Sequence, residues 1–479
     1  VAVSTLPVLE TEAIEPKSAE EDSFIERPVP LQKRYGTFSM GLLWVTMMTT
    51  FPTCLLGFEW YRQGFTFSQV LTAILVGASI VFCYTSVAAY MGAITGLNYA
   101  LLAKHVFGRI GSKVVCAAWS TLFFLWYAYM SGSMAVALKG LIAIPLSVPV
   151  LSVIMAILMS FNNIFGFKGV TNFARYLGAP CIIMWISYTF CKASIAIPPA
   201  IFVEHGKQTL EAAFTTITPL IVGACLWGNE PDFWRFAKPQ KLGTVVPIMI
   251  SVVIGEVLFP LTAWMVAYLG HVSDTSAALG FLNSYTFGTN GLLAAAMLVI
   301  SYFAVNDGNM YGAINGFENL FHSRRGPLII PMILLSCLLT LVLVNRSDAL
   351  DICATFNAFL LPCVSIIIGI EYFFFRSILH RVGEDAEFKA VSWTAITALA
   401  VAWCVGIFTS GNVPHTEALH FGIWPLFAWF AAALVYIPLR LVRFERADLL
   451  KMAGQDRPEA FAQAEAVPEY EAAVEPLKR

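Results

Sequence analysis

The chain alternates long apolar runs with short polar connections, and twelve such runs stand out. They cover roughly residues 39–58, 67–92, 114–138, 148–166, 176–197, 216–234, 244–269, 291–314, 327–345, 352–374, 391–409 and 420–439. Each is close to the ~20 residues a helix needs to cross ~30 Å of hydrocarbon. They are numbered here as segments one to twelve. Two are interrupted near their middles, segment one at Phe51-Pro52 and segment six at Gly228-Asn229-Glu230-Pro231. Proline removes a backbone donor and clashes with the preceding turn, so the helix opens there. Lipid cannot satisfy the freed groups, so each break must be buried in protein or line a cavity.

The breaks occupy matching places, five segments apart. Segments one to five (about 39–197) and six to ten (about 216–374) therefore read as two inverted repeats, with a binding site at the bilayer midplane between them. Segments eleven and twelve (about 391–439) read as an addition. The half-helix ends would offer positive N-termini to polar substrate groups and free carbonyls to cations. Two outer loops, roughly 198–215 and 271–290, are long enough to carry short helices. The inner stretch 376–390 reads as a solvated hinge.

Composition agrees with a membrane protein. The chain is 58% hydrophobic and 13% charged, where soluble domains have roughly a quarter of their residues charged. Lysines and arginines fall mainly beside the N-terminal region, the even-numbered loops and the C-terminal region. Arg62, Lys139, Lys192, Lys207 and Arg346 are the exceptions. The positive-inside rule then puts both termini in the cytoplasm of a multi-pass inner- or plasma-membrane protein. Residues 1–30 and 441–479 are acidic or Glu/Ala/Pro-rich and read as disordered cytoplasmic tails flanking a transporter domain over 31–440. The first stretch lacks the basic n-region of a signal peptide. The ten cysteines have no metal-like or redox-like spacing, and the seven histidines lie at loops or segment ends. Neither a metal site, a cofactor nor a histidine relay is expected.

Acids at membrane depth are costly and mark candidate sites. Glu59, Glu318 and Glu371 lie near segment ends, and there an ion pair or the headgroup region explains them. Glu230, after the second break, and Glu256, in segment seven, are the candidates for exchanging a proton during a cycle. Hydrogen bonding to a neighbouring helix is the other fate open to them. Asp232 and Arg235 share a helix face and read as a structural pair. Trp126 in segment three and Trp227 before the second break stand deeper than belt aromatics, and two such faces can sandwich a planar heterocycle. Asn306, beside Asp307 in segment eight, offers a donor and an acceptor from one planar amide, as the edge of a base or lactam requires. Asn162-Asn163 is the other mid-segment amide pair and has no comparable context.

Several stretches together resemble the nucleobase–cation symporter family of the cytosine permease and benzyl-hydantoin transporter type. They are Gly223 with Asp232-Phe233-Trp234-Arg235-Phe236, then Asn306-Asp307-Gly308-Asn309-Met310-Tyr311 with Gly316-Phe317-Glu318-Asn319, then Tyr90-Met91-Gly92-Ala93-Ile94-Thr95-Gly96-Leu97, and Phe107-Gly108. The resemblance implies an all-α membrane protein with the leucine-transporter fold, ten helices in a five-plus-five inverted repeat and two more. It implies cation-coupled uptake by alternating access. It gives Trp126 as the stacking tryptophan and Asn306 as the substrate-binding asparagine. Trp227 would be the aromatic of segment six, and backbone around Thr50 and Phe51 the unwound part of segment one. Two departures matter. Phe123 stands where cytosine permeases have a glutamine, which puts cytosine itself in doubt. Ala304 and Val305 stand where sodium-coupled members have hydroxyls, which weakens sodium; Ser301 is the nearby hydroxyl, and proton coupling gains by default.

The expected function is therefore symport of a small planar nitrogen heterocycle: a nucleobase, a hydantoin or allantoin, or a pyrimidine precursor. Expected substrate contacts are Trp126, Asn306, Trp227, Phe51 and Phe123, and candidates for cation coupling are Thr50, Ser301, Glu230 and Glu256. The expected partners are the heterocycle, a cation and the bilayer, without nucleic acid. An amino-acid or organic-cation carrier on the same fold and a non-transporting receptor remain alternatives. An intramembrane enzyme would need a clustered nucleophile and base or metal ligands at membrane depth, and the sequence carries no motif of that type.

Overall fold

The computed structural model describes residues 27–204, 206–225, 228–272, 278–346, 348–375 and 388–442, which form helices joined by short turns. Both expected tails lie outside the described residues apart from their inner edges, as does most of the 376–390 stretch. Among the described residues the only β pairing is a single parallel bridge between Tyr35 and Ala237.

Every apolar segment read from the sequence is helical. Segment one is two helices, Thr37–Met48 and Phe51–Arg62, bent by 45°. Segment two is Phe67–Thr95, started by a Thr66/Gln69 capping box. Segment three runs over Tyr99–Leu141 with a kink at Gly108. Segments four and five share the stretch Val148–Ala196, interrupted by a 3-10 turn at Phe161–Phe165 and a π-turn at Ala174–Gly178. Segment six is Leu210–Cys225 followed by Glu230–Trp234. Segment seven joins Lys241–Val252 to Phe259–Gly270 through a π-turn at Val253–Leu258. Segments eight to twelve are Gly291–Phe321, Arg325–Leu343, Ala349–Gly369, Trp393–Thr409 and Pro425–Val442. Among the described residues, eight helical stretches are individually long and apolar enough to cross a membrane, Val148–Ala196 counting once. The bent first segment makes a ninth, and Leu210–Ala224 and Trp393–Thr409 are shorter apolar helices. The two outer loops carry a 3-10 turn, Pro199–Phe202, and a helix, Ala278–Phe287.

The outer wall is apolar: Ile195, Leu292, Leu242, Leu434 and Trp393 are all more than 60% exposed. A surface of this kind is stable against acyl chains and unstable against water. Inside, segments one, three, six, eight and ten converge, and the broken segments come closest where small residues allow it. A Cβ on Gly255 of segment seven would lie 2.0 Å from the Met48 carbonyl, and one on Gly223 of segment six 2.2 Å from the Ala354 carbonyl.

At the end where the chain enters segment one, Arg34 closes the bundle. It is buried, and its guanidinium donates to the carbonyls of Val29, Ala93 and Ala237. These belong to the chain leading into segment one, the end of segment two and the end of segment six. Burial pushes this arginine down to about 10, so it stays charged at neutral pH. Backbone bonds from Val29 N to Gly96 O (3.0 Å), Tyr35 N to Phe236 O (2.6 Å) and Lys238 N to Tyr35 O (3.1 Å) complete the closure.

Acids near segment ends are paired. Glu59 accepts from Arg62 and Glu318 from Arg325 at 3.4 Å. Glu371 is 3% exposed and bound by Tyr436 and Arg440 of segment twelve at 2.5 and 2.7 Å, the ion pair that was one of the two roles expected of it. A carboxylate this deep is stable because a cation and a phenol hydroxyl replace its lost water.

Candidate functional site

At the first break the backbone is extended at Thr49 and Thr50, with ψ of 104° and 137°. Thr50 restarts the helix as its N-cap. Its Oγ1 accepts from Thr53 N at 3.3 Å and pairs with Thr53 Oγ1 at 2.6 Å. Pro52 cannot donate a backbone bond, so carbonyls before the break lose helical partners. One of them, on Met48, lies against Gly255.

The second break turns on Gly228, whose φ of 80° admits only glycine at low cost. Ser365 Oγ of segment ten donates to the Gly228 carbonyl at 3.0 Å, and Gly228 N donates to Glu230 Oε1 at 3.1 Å. Asp232 is held by Tyr99 N at 2.7 Å and by Asn229 Nδ2 at 3.1 Å. Asn357 of segment ten donates to the Gly223 carbonyl at 2.7 Å. Freed backbone groups at both breaks thus find protein partners, as membrane depth requires.

Between the breaks lies a narrow cleft lined by Met47, Thr50, Phe123, Trp126, Met130, Ala224, Val305, Asn309 and Asn357. Thr50 belongs to the first break, and Ala224 to the last turn before the second. The cleft measures about 20 Å³, enough for about one water. A ring can enter only if the walls part. None of these lining side chains is charged. Trp126 is 4% exposed, and its indole N–H has no acceptor among the described residues. Asn309 Nδ2 donates to Asn306 Oδ1 at 3.0 Å, and Asn306 Nδ2 donates to Tyr127 O at 3.2 Å and Ser131 Oγ at 3.3 Å.

The expected site residues divide accordingly. Trp126, Phe123 and Thr50 line the cleft. Asn306 does not: it is fully buried behind Asn309. Phe51 turns away into an aromatic cluster with Trp185, Phe259 and Tyr302, at centroid distances of 5.0, 6.3 and 6.2 Å. Trp227 lies outside the described residues. Glu230 is buried in the second break, Glu256 in the segment-seven π-turn, and Ser301 one turn before Ala304; none of the three lines the cleft. At the junction of segments one, five and eight, the methyls of Thr46 and Ala304 close over Gly178.

Sequence reasoning did not single out Asn309, Asn357, Met47 or Met130. It also gave Asn162-Asn163 no partner. Asn162 Nδ2 donates to Asp307 Oδ2 at 2.7 Å, and Asn163 Nδ2 to the Asp307 carbonyl at 3.1 Å. The amide pair at the segment-four turn therefore holds the segment-eight acid. The sequence carries no proline or glycine inside Phe161–Phe165 to mark this turn. Among the described residues no group of three His, Cys, Asp or Glu side chains could hold a metal ion.

Comparison with known proteins gives a consistent set of likenesses. A family model described as "Permease for cytosine/purines, uracil, thiamine, allantoin" matches residues 28–430. The cytosine permease of Escherichia coli strain K12 is 24% identical over 412 residues, which cover 84% of this chain and 93% of the relative. Among solved structures, the fold resembles Mhp1, a nucleobase-cation-symport-1 family transporter, in a closed conformation with bromovinylhydantoin bound. The TM-score is 0.69 at 16% identity, covering 89% of this chain and 98% of that one. A Na+-coupled sialic acid symporter gives 0.59 at 9% identity, covering 88% and 93%. The all-helical leucine-transporter fold expected from the sequence is the one the structure has.

Proposed function

The chain belongs to the family of permeases for cytosine, purines, uracil, thiamine and allantoin, and on that premise we propose that it is a symporter importing a small, flat, uncharged nitrogen heterocycle by alternating access. The observation that carries this reading is the cleft shared by both helix breaks. Its wall offers one indole face with a spare N–H, two carboxamides and no charge. A charged ligand would lose its hydration there without a counter-ion, at a cost of several kcal/mol. A neutral ring exchanges water for stacking on Trp126 and for amide hydrogen bonds. The amino-acid and organic-cation alternatives fit this cleft poorly for the same reason.

In this reading Trp126 stacks on the ring and Asn309 reads its polar edge, while Asn306 holds Asn309 in orientation. Phe123 gives apolar contact, and Ala224, in the last turn before the second break, completes the lining. The proposed coupling ion is the proton. Sodium favours several hard oxygen ligands, and Ala304 and Val305 stand where the resemblance would place hydroxyls. Glu230, buried in the second break, is the first candidate to carry the proton, with Glu256 second. The Arg34 closure corresponds to a state shut on the side of the termini, which the charge bias makes cytoplasmic.

The test is uptake of labelled cytosine, uracil, allantoin and hydantoin into proteoliposomes, with sodium replaced by choline and with a proton gradient imposed or collapsed. Proton-driven, sodium-independent uptake of at least one neutral heterocycle is expected. Sodium-dependent uptake would refute the ion assignment, and uptake of amino acids in preference to all heterocycles would refute the substrate class.

A further inference from the structure

A second cavity, of about 350 Å³, lies away from the cleft, where the start of segment three meets the end of segment eight. Lys104, Arg109, Lys113 and His322 line it, together with Asn319 and Ser112. No carboxylate is among its described lining residues. Three lysine or arginine side chains around one cavity repel one another unless an anion joins them.

The cavity is built by the backbone. Gly108, with φ 83° and ψ 175°, turns the chain between Lys104 and Arg109 so that cations from both sides of the kink face the same space. A side chain at Gly108 would meet the Lys389 carbonyl at 2.6 Å. That carbonyl and its neighbour on Ala390 accept Arg109 N at 2.9 Å and Ile110 N at 2.8 Å, and Ser392 N returns to Phe107 O at 2.9 Å. Lys104 is steadied 4.8 Å above the Phe388 ring. On the same two elements Ile110, Val114 and Phe321 are 58%, 49% and 62% exposed. The basic cavity therefore opens beside an apolar, lipid-facing wall.

We propose that this cavity binds a phosphate group, and that the phosphodiester of an anionic phospholipid supplies it, with acyl chains lying along Ile110, Val114 and Phe321. Basic pockets between helices on the cytoplasmic side take up lipid headgroups in this way, and the charge bias assigns this end to the cytoplasm. The proposal is independent of the substrate assigned to the cleft.

The test uses the full-length protein in neutral detergent and reads the melting temperature against added phosphatidylglycerol, phosphatidylcholine or inorganic phosphate. Three variants accompany the wild type: Lys104→Gln/Arg109→Gln/Lys113→Gln, the exposed single change Lys113→Gln, and a control at the same end, Arg175→Gln/Lys238→Gln/Lys241→Gln. Phosphatidylglycerol should raise the wild-type melting temperature and phosphatidylcholine should not. The half-saturating concentration should rise about fivefold in Lys113→Gln and by more than about tenfold in the site triple. In the control it should move by less than about twofold. A shift produced equally by inorganic phosphate, and lost in the same variants, would keep the site and change the source to free phosphate. A site triple or a Lys113→Gln protein that responds like the wild type overturns the proposal, as does a control that weakens as much as the site triple. If the triple does not fold, the single variant decides.

Discussion

Asn306 and Asn309 lie three residues apart, nearly one turn, on segment eight, and only Asn309 reaches the cleft. Asn309 presents one amide edge; Asn306 fixes the other from behind, held by Tyr127 and Ser131. Two residues in series should not act additively. Asn306→Ala and Asn309→Ala should each cut heterocycle affinity about tenfold. The double variant should do little worse than either, leaving a coupling of about 0.5–3 kcal/mol in a binding double-mutant cycle. Fully additive losses would mean the two amides act separately. Trp126→Ala should remove stacking and a donor together, while Trp126→Phe should restore only the apolar part; equilibrium binding of the labelled heterocycle separates the two. Trp126 was legible in the sequence because a tryptophan at mid-segment depth is unusual. The choice between the two asparagines was not, because both fall on one helix face and only the neighbouring chain decides which is screened. Phe51 was read as a site residue for the backbone at the break; its ring packs with Trp185 and Tyr302.

Among the elements, the two breaks were plain because proline and glycine punctuate them. The 3-10 turn at Phe161–Phe165 carries no such residue, and the π-turns at Ala174–Gly178 and Val253–Leu258 carry a lone glycine without a proline inside them, which does not by itself mark a break. The π-turn at Val253–Leu258 widens segment seven where the first break presses in, at Gly255. Gly255→Ala would put a methyl 2.0 Å from the Met48 carbonyl, forcing segment seven off the first break. Overpacking of this kind costs about 1–3 kcal/mol. Gly255→Ala should lower the melting temperature and abolish uptake, whereas Gly280→Ala, with nothing within 4 Å of the new methyl, should change neither. Equal behaviour of the two variants would contradict the close approach.

For the molecule as a whole, the sequence carried the all-helical membrane fold class and the family, because hydrophobic length and helix punctuation are local signals. It did not carry the closure around Arg34, which joins residues up to 203 positions apart. Replacing this side chain should loosen the end of the bundle without touching the cleft. In Arg34→Ala, hydrogen exchange should quicken at the amides of Val29, Tyr35 and Lys238, whose bonds form the closure, and stay unchanged along Trp393–Thr409. Unaltered exchange at those three amides would show that the guanidinium does not hold the closure. The central claim is that both helix breaks border one neutral cleft that grips a flat ring, and an experimental structure with the transported heterocycle bound tests it most directly. The expected density is a ring stacked on Trp126 with its polar edge within hydrogen-bond distance of Asn309, between two unwound helices. A ring bound elsewhere, or segments one and six running unbroken past it, would contradict the claim.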